Sequence, residues 1–194
     1  MTKAKTTGYN KDTSKHLLLD AGAFYLNYGD EDSEKLLGAT QGGGEFSAVA
    51  TMRQIAIDGI KGRAKGLSIL ESWEVTLTAN MLEVTPENLK LALGIADVDT
   101  LSDEDNDIIK GRNNILDTDY IDNIAWIGRL SGSEKPVVIK VMNALSEQGL
   151  GITTADNAEG IIPLKFVGHF DPNNVDRPPF EIIYPKMEDS EMEE

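Results

Sequence analysis

The chain has no cysteine. A disulfide framework and a thiolate metal site are therefore both excluded. Histidine occurs twice, at His16 and His169, so a centre built from several imidazoles is excluded too. No G-x-S-x-G elbow is present, and no other pattern marks a nucleophile with its base. Aromatic residues make up 6% of the chain, few for a surface that stacks rings on sugars. No apolar run approaches membrane-spanning length. The first fifteen residues are basic but lack the apolar core of a signal peptide, and no asparagine stands in an N-x-Ser/Thr acceptor site. The expectation is a protein made in a cytoplasm, with no membrane partner.

Positive charge is also scarce. Lys and Arg number 18 against 33 Asp and Glu, a formal net charge of −15. General affinity for nucleic acid needs the opposite balance, because phosphates must be neutralised. Two readings stay open. The acidity keeps the protein soluble, or it forms a surface to which nucleic acid must not stick.

What the chain does have is clearest from Ser72 to Gly94. Trp73, Val75, Leu77, Ala79 and Met81 alternate with Glu74, Thr76, Thr78 and Asn80. That period of two predicts a half-buried strand. The pattern then changes to a helix start: Thr85 to cap, Pro86 at the first helical position, Glu87 at the positive end of the dipole. Val84 and Leu89 are spaced for a hydrophobic staple. Leu89, Ala92 and Leu93 form a short stripe, and Gly94 is a natural stop.

Other strands are expected on both sides of this unit. Leu17 to Tyr28 reads as a strand region broken near Ala21-Gly22. Lys35 to Gly44 holds three consecutive glycines; no Lys-Ser/Thr follows, so it reads as a pliable loop or a close backbone approach rather than a phosphate loop. Glu45 to Asp58 reads as one long strand with neither face strongly polar, as for a sheet closed by a neighbouring subunit. Lys61, Arg63 and Lys65 follow in a glycine-rich loop.

Asp97 to Asp119 reads as an acidic loop. Asp103, Asp105 and Asp107 alternate as in a calcium loop, but Ile108 replaces the required glycine and Asn114 the bidentate glutamate. Tyr120 to Leu130 and Pro136 to Ala144 predict a hairpin. Gly149 to Thr153 can continue the sheet. Ile161 to Phe170 is a strand with Pro163 at an edge or bulge, and Phe180 to Tyr184 closes the sheet. In all, about seven strands and one short helix predict a mainly β fold, a β-sandwich with one flanking α-helix. Residues 1–15 form an N-terminal arm, 16–185 the domain, and 186–194 an acidic C-terminal tail.

The runs LLGATQGGGEFSAVATMRQIAIDGIKGRAKG, SWEVTLTANMLEVTPENLKLALG, VVIKVMNAL and IIPLKFVGHFDPNNVDRPPFEIIY, in that order, resemble the tail tube (major tail) proteins of long-tailed bacteriophages. The resemblance spans Leu17 to Tyr184. It implies a β-sandwich with a flanking helix, hexameric rings stacked into a hollow tube, and inner strands joined into a barrel around a lumen that conveys the genome. It implies no catalytic residue, metal or cofactor. Its implied partners are further copies of the chain and the tape measure, tail terminator and distal tail proteins, with DNA passing through unbound, in a virion tail. Two alternatives stay open: the inner tube of a contractile injection or secretion machine, and a monomeric β-sandwich binding module or enzyme.

Three expectations follow from these readings. Glu45 to Asp58 pairs with Trp73 to Val84 and contributes to the inner barrel. Glu74, Thr76, Thr78 and Asn80 face the lumen, where they offer no cation to phosphates. Lys61, Arg63 and Lys65 project from a rim and meet an acidic surface of the next ring, formed by Asp97, Asp99, Asp103, Glu104, Asp105 and Asp107.

Overall fold

In the computed structural model, which describes residues 6–186, the central alternation is a strand of fourteen residues, Ser68–Met81. Its odd positions Val75, Leu77, Ala79 and Met81 are fully buried, while Thr76, Thr78 and Asn80 between them are half-buried. In chain order the strands are β1 (Ala23–Leu26), β2 (Lys35–Leu36), β3 (Phe46–Gln54), β4 (Ser68–Met81), β5 (Ala96–Asp99), β6 (Ile108–Gly111), β7 (Ile121–Gly128), β8 (Val137–Ser146), β9 (Thr153–Ala155), β10 (Ala158–Val167) and β11 (Phe180–Ile183). One helix, α1 (Pro86–Leu93), follows β4.

Nine strands form one continuous antiparallel sheet in the order β2-β1-β7-β8-β10-β4-β3, with β11 also on β8 and β9 on β10. The sheet folds over at β8. Val138 to Val141 pair with β11, whereas Leu145 and Ser146 pair with β10. This gives two layers, β2-β1-β7-β8-β11 and β8-β10-β4-β3. Phe24, Leu26, Ile124 and Val141 from one meet Val75, Leu77, Ala79, Met81, Ile162, Leu164 and Phe166 from the other in a single core. The fold is mainly β and sandwich-like, as expected.

The turn between layers needs one residue that reverses the pleat. Asn143 adopts φ +46° there, a left-handed conformation that asparagine tolerates better than most residues. Pro163 is also placed for a reason. The Asn80 amide bonds Gly43 O, so the Pro163–Asn80 pair needs no proline N–H. Gly44 bears out the close backbone approach. A Cβ there would lie 2.0 Å from the Thr78 carbonyl oxygen.

The helix forms as its residues predict. Thr85 Oγ1 accepts from the Asn88 amide at 3.1 Å. Pro86 is the first helical residue, and the Gly94 amide donates to Lys90 O and Leu91 O at φ +72°. The expected staple is not what holds its entry, because Val84 is exposed. The buried Asn88 side chain does so by donating to Glu83 O at 2.9 Å. Ala92 is fully buried, and Leu89 and Leu91 pack on the core.

Four further readings are corrected. Asp97 to Asp119 is not a loop but a hairpin of β5 and β6, packed on α1 with Ala96 fully buried and followed by a 3-10 turn, Asp117–Asp119. Strand β3 ends at Gln54 rather than Asp58, though Ile55 N still bonds Leu67 O. Of Gly149 to Thr153 only Thr153 is in a strand. The count rises from about seven strands because β2, β5, β6 and β9 are too short to show a period. In the N-terminal arm the described part ends in a 3-10 turn, Thr13–Lys15, docked on Ser131 and Gly132. Of the acidic tail, all but Lys186 lies outside the described residues.

Candidate assembly surfaces

The expected pairing of the long strands is present. β3 and β4 run antiparallel from Phe46↔Leu77 to Gln54↔Ser68, with a register shift between Thr51 and Met52 that leaves Glu71 as the extra residue. Inside the body, Ala48, Ala50 and Trp73 lie on the core side, and Trp73 and Phe46 pack on Phe180 at ring distances of 5.3 and 5.9 Å. Beyond Trp73 the two strands leave the body as a ribbon.

The ribbon carries apolar side chains on both faces. Met52 (65% exposed) opposes Leu70 (52% exposed) on the face continuous with Trp73. Val49 (53% exposed), Ile69 and Ile55 lie on the other. The Arg53–Glu71 ion pair at 2.9 Å and the Ser68–Gln54 hydrogen bond at 3.1 Å close the ribbon on itself. At its tip Ile57 and Ile60 are exposed, as are Lys61, Arg63 and Lys65. None of these three cations forms an ion pair among the described residues. A side chain at Gly59, Gly62 or Gly66 would meet nothing within 4 Å.

The outer face of β4 groups Glu74, Thr76, Thr78 and Asn80 as the alternation predicts. Glu74 is exposed and the other three are half-buried. Thr78 Oγ1 accepts from the Glu45 amide at 2.8 Å. Neighbouring strands extend this face with Ser47, Val49 and Thr51 from β3. They also supply Lys165, directly opposite Thr78 on β10. The reading that no cation stands on this face is thus corrected. Alternation along one strand does not reveal what the next strand places beside it.

The acidic residues divide into two groups. Asp97 and Asp99 are engaged inside the molecule. Arg112 Nε lies 2.9 Å from Asp97, and Lys110 Nζ lies 3.0 Å from Asp99. The Ser102 hydroxyl first, and Lys110 second, hold the Asp99 carboxyl well below the usual range. Arg112 also pairs with Asp119, whose side chain is almost fully buried. By contrast Asp103, Glu104, Asp105 and Asp107 sit exposed on the tip between β5 and β6 with no ion pair among the described residues. Leu101 on the same tip is 94% exposed.

The remaining candidate chemistry is committed to structure. His169 Nδ1 donates to Asn143 O at 3.1 Å, its ring stacks edge-on against Tyr120 at 5.1 Å, and Nε2 lies 3.4 Å from Glu147. It borders a cavity of about 200 Å³ with Asp122 and Arg177. His16 Nδ1 lies 3.0 Å from the Tyr184 hydroxyl. Among the described residues no three His, Asp or Glu side chains gather into a metal site, and no helix is long and apolar enough to cross a membrane. No known family model matches the chain, and no curated protein matches it.

Proposed function

We propose that the chain is a structural protein that assembles with itself into rings, and that the rings stack into a hollow tube conveying nucleic acid, as in the tail of a long-tailed phage. The observation that carries this reading is the two-faced ribbon of β3 and β4. A two-stranded ribbon is marginally stable alone in water. One that exposes Met52 and Leu70 on one face and Val49, Ile55 and Ile69 on the other is suited to burial from both sides.

Two further features support the reading. Strand β3 is the last strand of its layer, and over Phe46–Gln54 it contains neither proline nor lysine. Such an edge invites pairing, and closure of the layer around a ring would remove it. The outer face of β4 is mainly hydroxyl and amide with one carboxylate and one amine, a surface on which phosphates find little to hold them. The hexameric symmetry, the tail location and the tape measure, terminator and distal tail partners rest on the resemblance alone. Negative-stain microscopy of the purified protein across concentration tests the reading. Rings and tubes with a central channel are expected. Particles that remain single domains at every concentration would overturn it.

A further inference from the structure

Resting on that reading, we propose that the basic ribbon tip of one copy docks against the acidic tip between β5 and β6 of the next copy. The contact pairs Lys61, Arg63 and Lys65 with Asp103, Glu104, Asp105 and Asp107. Ile57 and Ile60 lie against Leu101.

The two tips match in charge and in apolar content. In a chain of net charge −15, the ribbon tip is a local concentration of three cations without ion-pair partners among the described residues. Both tips also expose large apolar side chains beside the charges: Ile57 and Ile60 on one, Leu101 on the other. A solvated tip has no need of these. Other basic residues near acidic ones are already paired within the chain, as Lys110 with Asp99 and Arg112 with Asp97 and Asp119. Asp103, Glu104, Asp105 and Asp107 have no such partner among the described residues.

Within one copy no ion pair joins the two tips among the described residues, and the proposed contact is one between copies. The ribbon tip leaves the body at the Ser68 end of β4. The acidic hairpin is joined through α1 after the Met81 end, and α1 packs on β10 and β8. Fourteen residues of strand at about 3.3 Å each span roughly 45 Å. A contact between two different patches is heterologous and repeats without closing when the copies are stacked head to tail. It also fixes the polarity of the stack, because a reversed copy would bring like charges together.

The test reverses each side and then both. The variant K61E/R63E/K65E is expected to polymerise poorly at low salt, with the critical concentration raised about tenfold or more, and the defect should shrink as salt screens the charges. D103K/E104K/D105K/D107K should show the same defect. The two sets combined should recover most of the loss, with circular dichroism and gel filtration confirming folded protein throughout. Tubes that tolerate either reversal at low salt, or folded double-reversed protein that does not recover, would overturn the pairing but leave the tube. Parent protein that never forms rings or tubes would instead overturn the functional reading itself. Parent protein that floats with anionic phospholipid vesicles through the same three cations, and fails to polymerise, would assign the tip to a membrane and overturn both.

Discussion

Asn143 and His169 hold each other through reciprocal bonds. Asn143 Nδ2 donates to His169 O and His169 Nδ1 donates to Asn143 O, both at 3.1 Å. The His169 amide adds a third bond, to Met142 O at 3.2 Å. These bonds lie where β8 passes from one layer to the other, and where Asn143 takes its left-handed conformation. The corner on which the sandwich folds is thus fixed by one local backbone choice and a clasp to the strand end after β10.

The clasp predicts a ranked pair of variants. Asn143→Ala loses a hydrogen bond and places a Cβ in an unfavourable backbone region, for a combined cost of about 2 kcal/mol. Asn143→Gly relieves the backbone but not the lost bond, for about 1 kcal/mol. Denaturant unfolding checks the order. Equal stabilities for the two would show that the backbone is not strained at this residue.

Gly44 is one of the sharply constrained glycines. A methyl group there would meet Thr78 O at 2.0 Å and the Phe24 ring at 2.7 Å. Gly44→Ala is expected to destabilise by about 1–3 kcal/mol or more. Gly59→Ala, in open space but at φ +87°, is expected to cost less, about 1 kcal/mol. Thermal unfolding of both variants checks the contrast.

Asp119 makes stability depend on pH. Burial pushes its carboxyl up, but the Leu116 amide and the Arg112 guanidinium outweigh burial and hold it below the ordinary range. A carboxyl with a depressed folded-state value stabilises fully above its unfolded value. That contribution is lost as pH falls through the folded value. Asp119→Asn is therefore expected to lose about 1–3 kcal/mol at pH 7, with the gap to the parent closing below about pH 4. A gap that is constant from pH 7 to pH 3 would contradict this.

If the outer face of β4 lines the channel, its charge sets how nucleic acid slides past. Adding cations in the double variant Glu74→Lys/Thr76→Lys joins them to Lys165, and tubes of this variant should retain DNA in a pull-down at low salt and release it as salt rises. Phage or particles carrying it should eject more slowly. Tubes that bind no more DNA than the parent would place this face outside the lumen.

The sequence made legible those elements in which one strand or helix carries its own signal. The alternation of β4, the Thr85 cap, the Gly94 stop and the pairing of β7 with β8 all follow from local pattern. What it hid depends on contacts across strands. The β5–β6 hairpin is held by its ladder and its packing on α1, and its Asp97–Arg112 and Asp99–Lys110 pairs look like loop composition when read in order. Lys165 joins the face of Thr78 only through register. The extra residue Glu71 appears only in the register of β3 against β4, and the two-faced exposure of the ribbon appears only once the body is seen to end at Trp73.

In the proposed assembly the ribbon from Val49 to Ser72 is buried against other copies. Limited trypsin digestion of the isolated subunit and of the assembled fraction, analysed by mass spectrometry, tests it most directly, since Lys61, Arg63 and Lys65 lie in the exposed tip. Rapid cleavage at these residues is expected in the free subunit, and protection by at least about tenfold in the assembly. Equal cleavage in the two fractions would contradict it.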